Sequence, residues 1–160
     1  MKDLESYLSG KTVEVTSSSI RGNDKNVSPF HAIDFNIETR FITEDQQNSF
    51  ICFDFKERKI KLSNYSVRSS IGTKPKSENV QCWKIEGSND NIKWDTLDSQ
   101  TIEKSLDGKG FYNTFSANSS GFYRLIRMRQ TNANTSKNNV LKIGEIEFFG
   151  EILQNSFEEN

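Results

Sequence analysis

The chain carries a single histidine, His31, and two cysteines, Cys52 and Cys82. A Ser-His-Asp or Cys-His arrangement would have to use His31. That residue follows Pro29 and Phe30 and reads as structural. Cys52 and Cys82 sit inside separate apolar runs, and a buried free thiol behaves as a small hydrophobe. They read as reduced structural thiols, and with His31 they form no zinc-ligand cluster. No phosphate-binding loop or dinucleotide fingerprint is present, and Gly108-Lys109-Gly110 reads as a turn. No carboxylate pair stands out as a glycosidase dyad. The inventory points to a non-catalytic binding protein. The remaining chemistry is hydrogen bonding by Arg, Lys and Asn side chains on polar segments. The basic run Lys56, Arg58, Lys59 and Lys61 reads as a solvated strand edge, where charge discourages edge-to-edge pairing.

Charge and composition narrow the partners. The net charge is −1 over 160 residues, which gives no global field to draw nucleic acid or an anionic membrane. No apolar run reaches membrane-spanning length. The first ten residues, Met1 to Gly10, are polar and charged and lack the apolar stretch of a signal peptide. Asn-X-Ser/Thr triplets occur at Asn26, Asn64, Asn118 and Asn134, but a chain this rich in Asn, Ser and Thr produces them by chance. The chain reads as cytoplasmic. Only 33% of residues are hydrophobic, low for a globular protein. Twelve Phe, four Tyr and two Trp offset this, because each aromatic buries a large area.

The elements that must position these residues are strands. Short apolar alternation, broken by Asn- and Ser-rich loops, is the pattern of an all-β sandwich or barrel. Strands are expected at 11–16, 49–55, 59–69, 80–87, 94–97, 122–130 and 140–150, with weaker ones at 101–104 and 111–115. Ile51, Phe53 and Phe55 share one face of their strand and Phe50 and Cys52 the other, which suits a central position. The phase of the 59–69 strand changes near Asn64, as at a bulge. Ser88-Asn89-Asp90-Asn91 is a hairpin turn. Phe53, Trp83, Trp94, Ile126 and Phe148 are the expected core. One domain spans 11–150, flanked by tails at 1–10 and 151–160.

Several of these segments, taken in order, resemble the discoidin (coagulation-factor type C, galactose-binding-like) family. They are Ala32-Ile33-Asp34-Phe35-Asn36 through Thr39-Arg40-Phe41, then Phe50-Ile51-Cys52-Phe53-Asp54-Phe55. Trp83-Lys84-Ile85-Glu86-Gly87-Ser88-Asn89-Asp90 follows, with Trp94 behind it. Tyr123-Arg124-Leu125-Ile126-Arg127-Met128-Arg129 and Glu145-Ile146-Glu147-Phe148-Phe149-Gly150 complete the series. The resemblance implies an antiparallel jelly-roll sandwich of about eight strands, with ligands bound by loops at one end. The absence of terminal cysteines is closest to the intracellular branch found beside BTB or kelch-type domains. The loop at 17–31 offers only Ile20, Val27 and Phe30 as membrane-entering side chains, so a membrane partner is not expected.

The resemblance also suggests sites. Asp34, Asn36, Thr39 and Glu145 match the residues that hold a structural Ca²⁺ in sugar-binding relatives. Phe35 stands where the family has Gly, and the competing reading is a hydrogen-bonded loop capped by Asp34. No cofactor is required. Arg68 lies near a position where some relatives use Arg to grip sugar hydroxyls. Binding is expected in loops 17–31, 69–80 and 131–140, meeting at one end. They carry Arg21, Asn26, Lys74, Lys76, Asn132 and Asn134, flanked by Arg68 and Arg129. Loss of Arg68 and Arg129 is expected to weaken binding, and loss of Lys59 and Lys61 to do little. The leading expectation is a protein-protein interaction module with a protein partner. The alternative is a carbohydrate-binding module with a structural calcium ion.

Overall fold

The computed structural model describes residues 13–72 and 78–154. Lys74 and Lys76 lie outside the described residues, as do the tail 1–10 and most of the tail beyond 150. Among the described residues the strands are β1 (Glu14–Ser17), β2 (Phe41–Ile42), β3 (Phe50–Asp54), β4 (Arg58–Arg68) and β5 (Trp83–Ser88). They continue with β6 (Asp95–Gln100), β7 (Tyr112–Ser116), β8 (Leu125–Gln130), β9 (Lys142–Ile143) and β10 (Glu145–Gln154). A five-stranded sheet runs β1-β3-β8-β5-β6 and a three-stranded sheet runs β10-β4-β7, with β2 and β9 paired beside them. The pairings are antiparallel. The all-β antiparallel sandwich is as the sequence leads one to expect.

The core lies between the sheets. Alternation in β3 turns Ile51 and Phe53 inward, β8 turns Ile126 and Met128 inward, and β5 contributes Trp83 and Ile85. The opposite sheet supplies Ile60, Leu62, Tyr65, Phe115, Ile146 and Phe148. Phe53 meets Phe148 edge-on at 4.9 Å, and Trp83 meets Phe115 at 5.2 Å. Each such side chain gains about 1.5–3 kcal/mol by leaving water. Trp94 differs from expectation. It is half-buried on the outer face of the five-stranded sheet, where the Arg127 guanidinium lies 3.9 Å above its ring.

Register explains the phase change near Asn64. Phe149 faces Asn64 while Gly150 faces Leu62, so Ser63 has no opposite number. This is a β-bulge, tied by the Ser63 hydroxyl to the Phe149 carbonyl at 3.0 Å. Lys59 and Lys61 lie in the half of β4 that β7 does not reach, where the side away from β10 has only the isolated Ile60–Tyr123 bridge. They pair with Leu153 and Glu151 of β10. β10 also runs past the expected boundary at Gly150 to Gln154, because β4 is long enough to pair with it. Residues 101–104 form a bend and not a strand.

The loops after β1, β4 and β8, and the loop before β7, leave from one end of the sandwich. Backbone hydrogen bonds join them there: Thr131 N–H to Cys82 C=O, Thr135 N–H to Asn79 C=O, and Ser69 N–H to Phe111 C=O. The 17–31 loop is built from short 3-10 turns at Arg21–Asn23, Lys25–Val27 and Pro29–Ala32.

Candidate functional site

Glu78 holds this end together. Arg21, from the first loop, donates from Nη2 to both carboxylate oxygens of Glu78 at 3.1 and 3.0 Å. Asn138, from the loop after β8, donates from Nδ2 to Oε1 at 3.2 Å. Glu78 is buried and has a left-handed φ of +42°, a conformation a non-glycine residue holds only when its surroundings enforce it. The Ser136 hydroxyl supplies one enforcing bond by accepting the Glu78 N–H at 3.2 Å. Next in the chain, Asn79 donates its N–H to the Thr135 hydroxyl at 3.0 Å and its side-chain N–H to Asp107 at 3.1 Å. Loops 17–31, 69–80 and 131–140 are therefore fastened to one another.

Two further cations join the cluster, and an aromatic ring stands in a neighbouring loop. Lys142, on β9 opposite Ile42, is 8% exposed. Burial lowers its ammonium pKa; Glu78 acts to raise it, and Arg40 and Arg21 lower it further. Arg40 lies flat against Gly72, where a Cβ would come within 3.0 Å of its Cδ, Nε and Cζ atoms. Ile71 packs against Gly110. Phe111 follows, 52% exposed, its backbone fixed by Ser69. A flat apolar ring thus stands in the loop group that also holds charge and amide donors. Such a group can take the apolar face and the hydroxyls of a polar ligand.

The structure sorts the residues singled out from the sequence. Arg21 is in the cluster. Asn134 is buried and braces it: Nδ2 donates to Asn138 and to the Val140 carbonyl, and Oδ1 accepts from the Ser136 and Asn138 N–H groups. Asn132 is exposed, with Oδ1 bonded to the Ala133 N–H. Asn26 is exposed on a 3-10 turn, and its N–H donates to Asp24. Arg68 is buried and engaged, donating from Nε to Glu145 at 3.3 Å. Arg129 lies on the outer sheet face, bonded to Glu86 at 2.8 Å and to Asn48 at 2.9 Å. Glu78, Asn138, Arg40, Lys142 and Phe111 were not singled out.

The residues matched to a calcium site form a self-bonded arrangement. The Thr39 hydroxyl lies 2.8 and 2.7 Å from the two Asp34 oxygens, the His31 ring binds Oδ2 at 2.7 Å, and the Asn36 N–H donates to Oδ1 at 3.0 Å. Burial acts to raise the Asp34 pKa, but the bonds from His31, Thr39 and Asn36 overcome it and hold the carboxyl below its ordinary value. Glu145 is turned to Arg68. Phe35 adopts a left-handed φ of +54°, as the glycine it replaces would. Among the described residues no group of three or more His, Cys, Asp or Glu gathers at one point. The oxygen chemistry suits a hard cation, and here these oxygens are bonded to His31, Thr39 and Asn36.

No protein-family model matches the chain, and no curated protein matches it. Solved structures do. One is CBM32-3 from a family 31 glycoside hydrolase of Clostridium perfringens, with TM-score 0.70 and 19% identity over 94% of this chain and 100% of that one. Another is CpGH89CBM32-5 from the same organism, solved with GalNAc-β-1,3-galactose, with TM-score 0.69 and 14% identity over 87% of this chain and 96% of that one. A Streptococcus pneumoniae fucose-binding module has TM-score 0.64 and 16% identity over 86% and 91%. These similarities give no support to the BTB- or kelch-associated branch. They also overturn the protein-interaction reading, because the similar structures are sugar-binding modules. The fold of this chain is the galactose-binding-like, discoidin-type β-sandwich shared with family 32 carbohydrate-binding modules.

Proposed function

We propose that this chain is a non-catalytic carbohydrate-binding module whose site lies at the loop end around Arg21, Glu78, Asn138 and Phe111. The observation that carries the reading is the union of three polar loops at Glu78 within the loop group that holds the exposed Phe111 ring. Saccharides present hydroxyls and an apolar ring face, and this group offers donors, an acceptor and a flat aromatic for them. Similar modules solved with sugars support the same reading. A glycan array is the test. The wild-type domain should bind at least one saccharide class, and Arg21→Ala and Phe111→Ala should each weaken that binding about tenfold or more while the fold is retained. An array with no bound saccharide, or binding untouched by both substitutions, would overturn the proposal.

A further inference from the structure

Three cations, Arg21, Arg40 and Lys142, gather at the loop end around the buried carboxylate of Glu78. The Lys142 ammonium senses one carboxylate, Glu78, and two guanidiniums, Arg40 and Arg21. Arg21 is paired with Glu78, and Asn138 uses Glu78 as well. Arg40 makes no hydrogen bond or ion pair among the described residues, and its Nε is buried without a partner. Two further acids lie at the rim, where Glu44 accepts the Gly22 N–H at 2.6 Å and Asp45 accepts the Asn139 N–H at 2.7 Å. A buried Nε–H with no acceptor is costly until one arrives.

We propose that the ligand of this site is an acidic saccharide, and that its sugar carboxylate is received by Arg40 and Lys142. The inference rests on the carbohydrate-binding reading and adds the charge of the ligand. Arg40 is partly exposed and is held flat against Gly72, so its planar fork is set in place before the ligand arrives. A carboxylate matches that fork with two parallel hydrogen bonds. Lys142 supplies a second charge from the facing strand β9. Arg21 and Glu78 are left to bind ring hydroxyls.

The test uses oligosaccharides of galacturonate, mannuronate, guluronate and glucuronate, each paired with its carboxyl-reduced neutral counterpart, together with a neutral glycan array. One acidic member should bind about tenfold or more tightly than its reduced partner, with the advantage shrinking as salt rises. Arg40→Gln should remove that advantage, so that the acidic member binds no more tightly than its reduced partner. Arg40→Lys, which keeps charge without the fork, should fall between. Arg124→Gln, at the other end of β8, should change nothing. Neutral sugars bound as well as acidic ones would overturn this inference and leave the carbohydrate reading intact. No saccharide bound at all would overturn both. Should Arg40→Gln fail to fold, wild-type salt dependence and Arg40→Lys decide, and an acidic preference indifferent to both would overturn the inference.

Discussion

Glu86 shows how single residues are set by their neighbours here. It is buried on the outer face of the five-stranded sheet and accepts from Arg127 at 3.0 Å and Arg129 at 2.8 Å. Burial works against its charge, but the two guanidiniums prevail and hold its carboxyl below the ordinary value. A carboxyl depressed by folding stabilises above its unfolded pKa, and that contribution is lost as pH falls through the folded value. Thermal melts should therefore drop below about pH 4, and Glu86→Gln should flatten that acid limb; an unchanged limb would show that other carboxylates set it. The cysteines are free and buried. Burial pushes the Cys52 thiol up to about 11, so it should resist alkylation at neutral pH in the folded protein. In denaturant both thiols should be modified, which intact mass reads directly. Asp34 takes three kinds of bond, and Asp34→Ala should lower stability by about 1–3 kcal/mol. Calcium or EDTA should leave the wild-type melting temperature unchanged. A rise with calcium would show that the ion displaces the His31 and Thr39 bonds, because a ligand of the folded state stabilises it.

At the scale of elements, long strands were legible and short ones were not. Phe50 to Phe55 shows its two faces in plain alternation, and the break near Asn64 marks the bulge at Ser63. β2 and β9 are two residues each, too short for any periodicity to register. Residues 101–104 hold an apolar Ile102, but its φ is +52° and its side chain is exposed; one apolar residue does not make a strand. Trp94 follows a hairpin turn correctly read from Ser88 to Asn91, where Asp90 accepts the Ile92 and Lys93 N–H groups. Its ring is expected in the core from the sequence, whereas an amphipathic aromatic can equally cover an outer face by stacking on Arg127. The bulge makes a sharp demand on Gly150, where a Cβ would lie 2.1 Å from the Lys61 carbonyl oxygen. That atom is backbone and cannot swing aside. Gly150→Ala should cost about 2 kcal/mol or more, read in chemical denaturation, whereas an unaltered midpoint would mean the β4–β10 register can slip.

The whole molecule explains why the site was only partly readable. The three loops could be named because polar segments between strands are visible in any such chain. Which side chains meet could not, because Arg40, Glu78, Asn138 and Lys142 share no spacing and come together only through the antiparallel order of the strands. Arg68 and Arg129 stood at strand ends, but register turns Arg68 to Glu145 and Arg129 to Glu86. A rigid sandwich is what keeps distant loops in place, and its two sheets are joined by a polar link as well as by packing. The Trp83 Nε1–H donates to the Tyr65 hydroxyl at 2.8 Å, and Tyr65 donates to Asp98 on β6 at 2.5 Å. The chain of bonds crosses from the five-stranded sheet to the three-stranded one and back. Burial, reinforced by the Asp98 carboxylate, drives the Tyr65 hydroxyl pKa upward, so it remains a donor throughout the working pH range. Tyr65→Phe keeps the ring stacked on Phe115 but leaves the Trp83 N–H and Asp98 without this partner. The expected loss is about 1–3 kcal/mol, smaller than the roughly 3–5 kcal/mol for Trp83→Ala, which also empties an aromatic site. Denaturant titrations of Tyr65→Phe, Trp83→Phe and the double variant separate bond from packing. If the link is real, the double variant should cost less than the sum of the singles, whereas strict additivity would mean that packing alone couples the sheets.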